Sequence, residues 1–299
     1  MDLTLKDIRK LVILSLFSDD TLMEILSLKG GNAIELAHNL HSRASIDIDF
    51  SMEKDFIDYN LTPEEVLKKL KLQLDFQFNK YGLCVFDEKI IEKPKINISR
   101  RYNWGGYNIS FKFIEQELFE TLKNEIDSLR RQASIVTENS NKRTFEIDIS
   151  KYEYIDSSQL IELDDYTIRV YTPLMIVFEK LRAICQQTEE YKKKMLCTTS
   201  SRARDFYDIY MVSEELIPQS ELINLKSIEI LKAMFKVKDV PLSLLLQIKN
   251  EDVYNLHSLT YNTLKASVPG NVNLEEFSFY YNYVLNLIEK LVPYINPEG

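Results

Sequence analysis

Apolar positions recur along this chain with two different periods, and the changes of period mark its elements. Leu5, Ile8, Leu11, Val12 and Leu16 fall near helical spacing and predict a helix over residues 4–17. Residues 23–28 are apolar and end at Lys29-Gly30-Gly31, after which Ile34, Leu36, Ala37 and Leu40 predict a short helix. Ile46-Asp47-Ile48-Asp49-Phe50 alternates strictly, which is the period of a strand. Thr62-Pro63-Glu64-Glu65 reads as a helix start, with Thr62 as N-cap, Pro63 at the first helical position and Glu65 closing a capping box. That helix is expected to reach Tyr81. Strands are expected over 83–85, 95–98 and 107–113, a helix over 115–131, and further strands over 143–149 and 167–171.

The character changes at Thr172-Pro173, a second cap-plus-proline start. From there to Tyr294 nearly everything reads helical, with breaks near Pro218, Pro241 and Pro269-Gly270. The fold class predicted is α+β: a mixed β-sheet flanked by helices over residues 1–172, then a mostly helical domain over 173–299 that contributes to the active-site cleft. No internal repeat is evident.

Composition narrows the class. The chain has 299 residues, 45% of them hydrophobic, enough for a sizeable core. Cys84, Cys185 and Cys197 are odd in number and no two have CxxC spacing, so neither a disulfide framework nor a zinc knuckle is expected. No apolar run approaches the roughly 18 residues that span a bilayer. The polar start, Met1 to Lys10, is not followed by a signal-type apolar segment. A soluble, cytoplasmic protein is expected, with no membrane partner. The net charge of −9 argues against a protein that coats nucleic acid non-specifically, but not against local basic patches.

The candidate chemistry centres on Asp47-Ile48-Asp49. Residues i and i+2 of a strand point to one face, so two carboxylates sit side by side. Their repulsion is relieved when a cation sits between them, and Mg²⁺ takes oxygen ligands while keeping positions for substrate phosphates. A lone DxD is more often a pair of solvated acids on the polar face of a strand. Upstream, Lys29-Gly30-Gly31-Asn32 joins an apolar run to a helix, where backbone amides can approach an anion. A Gly-Gly turn, a helix and then a hydrophobic DxD strand form a far less common order.

Gly30-Gly31, Arg43-Ala44-Ser45-Ile46-Asp47-Ile48-Asp49-Phe50, Glu179-Lys180-Leu181-Arg182-Ala183 and Arg204-Asp205-Phe206-Tyr207-Asp208-Ile209 together resemble the AbiEii/AbiGii toxin-like nucleotidyltransferases, of the polymerase-beta-like fold. The four blocks occur in the family's order. The resemblance implies transfer of a nucleoside monophosphate from an NTP to an acceptor with release of pyrophosphate, dependent on Mg²⁺ or Mn²⁺. It implies a toxin of a toxin–antitoxin or abortive-infection (phage-defence) system, with a separate antitoxin protein and tRNA, at its 3′ end, as acceptor. Asp47 and Asp49 would hold metal. Asp148 is the candidate third carboxylate, with Glu146 on the same face as the alternative. Lys180 would serve the triphosphate, and Asp205 would anchor Lys180 or an arginine. Gly30, Gly31, Asn32, Arg43, Ser45, Arg202, Arg204 and Asp208 complete the candidate nucleotide site. A hydroxyl at the place of Ser45 is, in some relatives, where an antitoxin's inactivating phosphorylation falls, and added negative charge there would oppose NTP binding.

Rival readings keep the fold and change the acceptor to a protein or small-molecule hydroxyl, or treat the chain as a non-catalytic nucleotide-binding module or a metal nuclease. Other features read blandly. His38-Asn39-Leu40-His41 lacks HExxH spacing, and His257 has no evident partner. Asn108-Ile109-Ser110 is a sequon without relevance in the cytosol, and Trp104-Gly105-Gly106 reads as a hairpin turn. Arg100-Arg101, Arg130-Arg131, Lys142-Arg143 and Lys192-Lys193-Lys194 each read as a solvated face, though together they offer basic charge to an RNA.

Overall fold

Burial alternates at every residue of Phe145–Ser150: Phe145, Ile147 and Ile149 point into a core, while Glu146, Asp148 and Ser150 point away from it. This strand sits centrally in the sheet and sets its two faces. The computed structural model describes residues 3–40, 47–94, 104–136, 141–195, 199–269 and 272–295. Among these, seven strands form one mixed sheet: β1 Ser27–Lys29, β2 Ile48–Ser51, β3 Leu83–Lys93, β4 Gly106–Glu115, β5 Phe145–Ser150, β6 Gln159–Leu163 and β7 Tyr166–Val170. Their order is β3-β4-β5-β2-β1-β7-β6. β2 runs parallel to β5 and β1 parallel to β7, and the other neighbours are antiparallel.

The apolar face of the sheet carries Leu28, Phe50, Ile147, Ile149, Ile109 and Phe111, all buried. The Leu5–Phe17 and Pro63–Asn79 helices supply matching apolar stripes. Phe17 meets Phe50 with ring centroids 5.8 Å apart, and Phe78 meets Phe111 at 6.0 Å. The helix starts are chemically fixed. Thr4 and Asp7 form a capping box, and Thr62 and Glu65 form another with Pro63 in the first turn. A satellite core of Phe86, Ile114, Leu129 and Ala133 takes in Leu118, Phe119 and Leu122.

Several expectations are corrected. The helix over 115–131 is two helices, Gln116–Leu122 and Ile126–Gln132. The strand at 83–85 continues to Lys93, because a register shift between Phe86 and Lys89 breaks its alternation and hides the rest. β1 and β6 lie outside the expected strands: β1 is too short to show a period, and β6 never buries a residue fully. The short helix after the glycines is present but changes its winding, Gly30–Asn32 being one turn that continues as the π-helix Ala33–Ala37, with His38 N–H donating to Ala33 O at 3.0 Å. The Thr172-Pro173 start is correct in position, but the Thr172 hydroxyl caps nothing and is buried without a partner. Gly106 opens β4, and a Cβ there would lie 1.9 Å from Ile149 O, so glycine is needed for close strand approach. The expected strand at 95–98 lies outside the described residues.

The chain groups into two compact units. One comprises Met1–Asn32, Ser45–Ile155 and Gln159–Val170, and contains the sheet. The other comprises Ala33–Ala44, Asp156–Ser158 and Tyr171–Gly299. The second is helical, built around Pro173–Cys185, Ala203–Leu216, Leu225–Lys236 and Phe277–Ile295. Its core includes an aromatic cluster: Phe206 lies 5.3 Å from Phe277 and 5.8 Å from Tyr281, centroid to centroid.

Candidate active site

The polar face of the sheet gathers the predicted acids. β2 and β5 are parallel with Asp49 opposite Asp148, so the two carboxylates leave neighbouring strands side by side. Asn108 stands opposite Asp148 on β4 and donates from Nδ2 to Asp148 Oδ1 at 3.0 Å. Lys93 Nζ lies 3.5 Å from the same oxygen. Asp47 precedes β2 and is exposed, with Lys142 Nζ 3.9 Å from its Oδ1. Lys142 also pairs with Glu146 Oε2 at 3.2 Å. Both candidates for the third acid thus have a lysine neighbour, and they differ in register: Asp148 stands opposite Asp49, and Glu146 lies two residues earlier on β5.

The glycine turn acts on this face by close approach. Gly30 has φ +67°, and a Cβ there would fall 2.6 Å from Asp49 Oδ2. Only glycine both adopts this backbone without strain and leaves the carboxylate in place. Gly30 stands at the start of the short helix expected here, whose first turn Gly30–Asn32 continues as the π-helix Ala33–Ala37. Asn32 is fully buried, accepting from Arg9 at 2.9 Å and donating to the Asp47 backbone carbonyl at 2.7 Å. With both ends of its amide engaged, its side chain fixes the start of the acid strand. Gly30→Ala is expected to move the Asp49 carboxylate and cut turnover by about 100-fold, the scale of an ångström misplacement in a reacting site. Steady-state kinetics on the folded variant checks this, and unchanged turnover would refute it.

As metal donors these residues are all oxygen and open on one side. Among the described residues, no three His, Cys, Asp or Glu side chains are gathered closely enough to enclose an ion. Two adjacent carboxylates, with Asp47 two residues along, match an ion such as Mg²⁺ that keeps waters and substrate phosphates as its other ligands.

In the second unit, Lys180 and the 202–208 segment do come together. Lys180 Nζ lies 2.9 Å from Asp205 Oδ1 and 2.7 Å from Asp208 Oδ2, and all three side chains are buried. Burial opposes ionisation of Asp205, but the charges of Lys180 and Arg202 outweigh it and hold the carboxyl below its ordinary range. Arg202 NH1 lies 3.5 Å from Asp205, whereas Arg204 is exposed.

His257, expected to have no partner, accepts at Nδ1 from the Arg202 backbone N–H at 2.9 Å, and its Nε2 is buried unpaired. Burial chiefly pushes its pKa down, to about 4. The unfolded chain therefore binds a proton that the folded one refuses between the ordinary value of 6.5 and about 4, and stability falls on acidification through that window. The loss is on the order of 3 kcal/mol for one proton over that span. Urea unfolding at neutral pH and at pH near 4 should show it, and His257→Asn should lose less. Equal losses in the two proteins would contradict this.

Arg43 and Ser45 lie outside the described residues. His38 is structural, its Nε2 2.7 Å from Tyr171 O. Sequence reading missed Asn108 and Lys93 as neighbours of Asp148, and Lys142 as a neighbour of Asp47. Asn108 was legible as the polar phase of an alternating strand. The lysines were not, because their placement depends on which strands pair.

A β2–β5 acid pair bounded by a glycine turn belongs with phosphoryl-type transfer, and the comparisons with known proteins name the class. A family model described as "Nucleotidyl transferase AbiEii toxin, Type IV TA system" matches residues 12–283. The chain is a nucleotidyltransferase and belongs to the AbiEii toxin family of type IV toxin–antitoxin systems. That family implies an NTP substrate and an antitoxin partner. A crystal structure of an antigenic nucleotidyltransferase-like protein from Paracoccidioides brasiliensis is similar at 14% identity, covering 88% of this chain and 93% of that one, with a TM-score of 0.38. That likeness is too slight to build on. No curated protein matches the chain. Among the described residues, no helix is long and apolar enough to cross a membrane.

Proposed function

We propose that this protein is a toxin that moves a nucleoside monophosphate from an NTP to the 3′ end of tRNA, with Mg²⁺ or Mn²⁺ held by the adjacent Asp49 and Asp148 carboxylates, beside Asp47. The observation that carries this reading is the register of Asp49 against Asp148 on the polar sheet face, with Gly30 fitted against Asp49. Of the two candidates for the third carboxylate, we take Asp148.

When bound, the metal supplies charge neutralisation at the phosphates. The protein's own groups do the positioning. Asn108 and Lys93 hold the Asp148 carboxylate, which takes the proton of the attacking hydroxyl as its oxygen bonds the α-phosphorus and the bond to pyrophosphate breaks. In the second unit, Lys180 is engaged by two buried carboxylates, which suits a frame for the start of the Ala203–Leu216 helix better than a free cation for the triphosphate. Arg204 beside this frame is exposed, and Arg202 NH1 lies 3.5 Å from Asp205. An RNA acceptor is supported by Lys93 on β3, which lies 3.5 Å from Asp148 and is exposed, and by Lys89 and Lys112, which share the strand phase of Asn108.

The test is incubation of the purified protein with Mg²⁺, total tRNA and each α-labelled NTP, followed by separation of RNA, protein and small molecules. Label on full-length tRNA is expected. Label on the protein or a small molecule would move the acceptor, shortened RNA would indicate a nuclease, and no chemistry with any NTP would indicate a binding module.

A further inference from the structure

Lys29 ends β1, immediately before Gly30. It stands directly opposite Asp49 in the antiparallel β1–β2 pair. Residues so opposed share a face, with Cβ atoms about 5 Å apart. Lys29 is nevertheless only 7% exposed, and its Nζ donates to Ser150 Oγ at 3.1 Å. Ser150 belongs to β5, which lies beyond β2 as seen from β1. The lysine side chain therefore reaches across β2 to make this bond. Where it crosses, β2 presents Asp49 and Ser51, in register with Asp148 and Ser150 on β5.

We propose that Lys29 is a positioning residue for the acid pair: its ammonium, fixed by Ser150, holds the Asp49 carboxylate from the buried side and leaves the outer side to the metal. Three physical points support this. A buried ammonium requires acceptors and opposite charge, and Asp49 is the acid opposite it in register. Two carboxylates on adjacent strands repel, and a resident cation among them keeps both in place before any metal arrives. Gly30 restricts Asp49 Oδ2 from a second direction, so the carboxylate is bounded twice by consecutive residues of one turn. The proposal rests on the reading that Asp49 and Asp148 hold a divalent ion.

The experiment measures Mn²⁺ binding to the full chain by calorimetry, without nucleotide, for the wild type, Lys29→Met, Ser150→Ala and the double variant. Outer partners that orient metal ligands typically contribute about 10–100-fold in affinity. Lys29→Met is expected to weaken Mn²⁺ binding on that scale, and Ser150→Ala by a few-fold. The double variant should be no weaker than Lys29→Met, because the serine acts through the lysine. At saturating Mn²⁺, kcat should fall in Lys29→Met with little change in the NTP KM.

Simple charge repulsion predicts the opposite sign, so tighter Mn²⁺ binding in Lys29→Met would overturn the proposal. So would losses that multiply in the double variant. Ser150→Ala removes one hydroxyl and should fold even where Lys29→Met does not, and unchanged Mn²⁺ affinity in it alone would also overturn the proposal. A wild type that binds no Mn²⁺ would remove the metal reading itself, and this proposal with it.

Discussion

Asp49→Asn is expected to abolish nucleotidyl transfer while leaving the protein folded. The substitution keeps the shape of the side chain beside Gly30 and removes only its charge. Asp148 retains Asn108 and Lys93, so the polar face keeps its hydrogen-bonded frame. Loss of one charge-stabilising group in a preorganised site typically costs on the order of 10²–10³ in rate, and an acid proposed to hold the metal belongs at the upper end. The fall should appear in kcat and kcat/KM together, because the group acts on the transition state. Thermal melting of the variant beside the wild type separates this from unfolding. Retention of more than about a tenth of the activity would show that the pair does not carry the chemistry.

Lys180→Met is expected to act first on stability. Asp208 is fully buried and Asp205 nearly so, and both face the Lys180 ammonium. Removing one member of a buried ion cluster leaves charge without its counterpart and typically costs about 3–5 kcal/mol. The sign with pH follows from Asp205, whose carboxyl is held below its ordinary range by Lys180 and Arg202 against the effect of burial. Its stabilisation is present at neutral pH and is lost as pH falls through the lowered value. Lys180→Met should therefore unfold at markedly lower denaturant at pH 7. Replacing Asp205 and Asp208 by asparagine alongside it should restore part of the loss. A lysine serving only the triphosphate would behave differently, with a raised NTP KM and an unchanged melt.

The acid strand was legible before the structure because its signal is local. Alternation in Ile48-Asp49-Phe50 puts Asp49 on the polar face whatever the neighbours are, and the same holds for Glu146 and Asp148, whereas Asp47 precedes the strand and its place is not set by alternation. The capped helix at Thr62 was equally local, since its box, its proline and its apolar stripe lie within a few residues. The choice of Asp148 over Glu146 was not legible, because alternation places both on one face and only the β2–β5 register separates them. β1 was hidden for a related reason: three residues carry no period, and its place in the sheet is set by pairing with β2 and β7. Lys180 was legible as a motif residue, but its burial between two carboxylates depends on helix packing. Asn32 shows the same limit: a polar residue after a glycine turn suggests a ligand contact, and its actual partners are Arg9 and a backbone carbonyl.

The most direct test of the central claim is label transfer from α-labelled NTP to total tRNA in Mg²⁺, comparing the wild type with Asp49→Asn, Asp148→Asn and Glu146→Gln. Label carried by the wild type and Glu146→Gln, and lost in both aspartate variants, is the predicted result. Transfer that survives in Asp148→Asn and disappears in Glu146→Gln would contradict it.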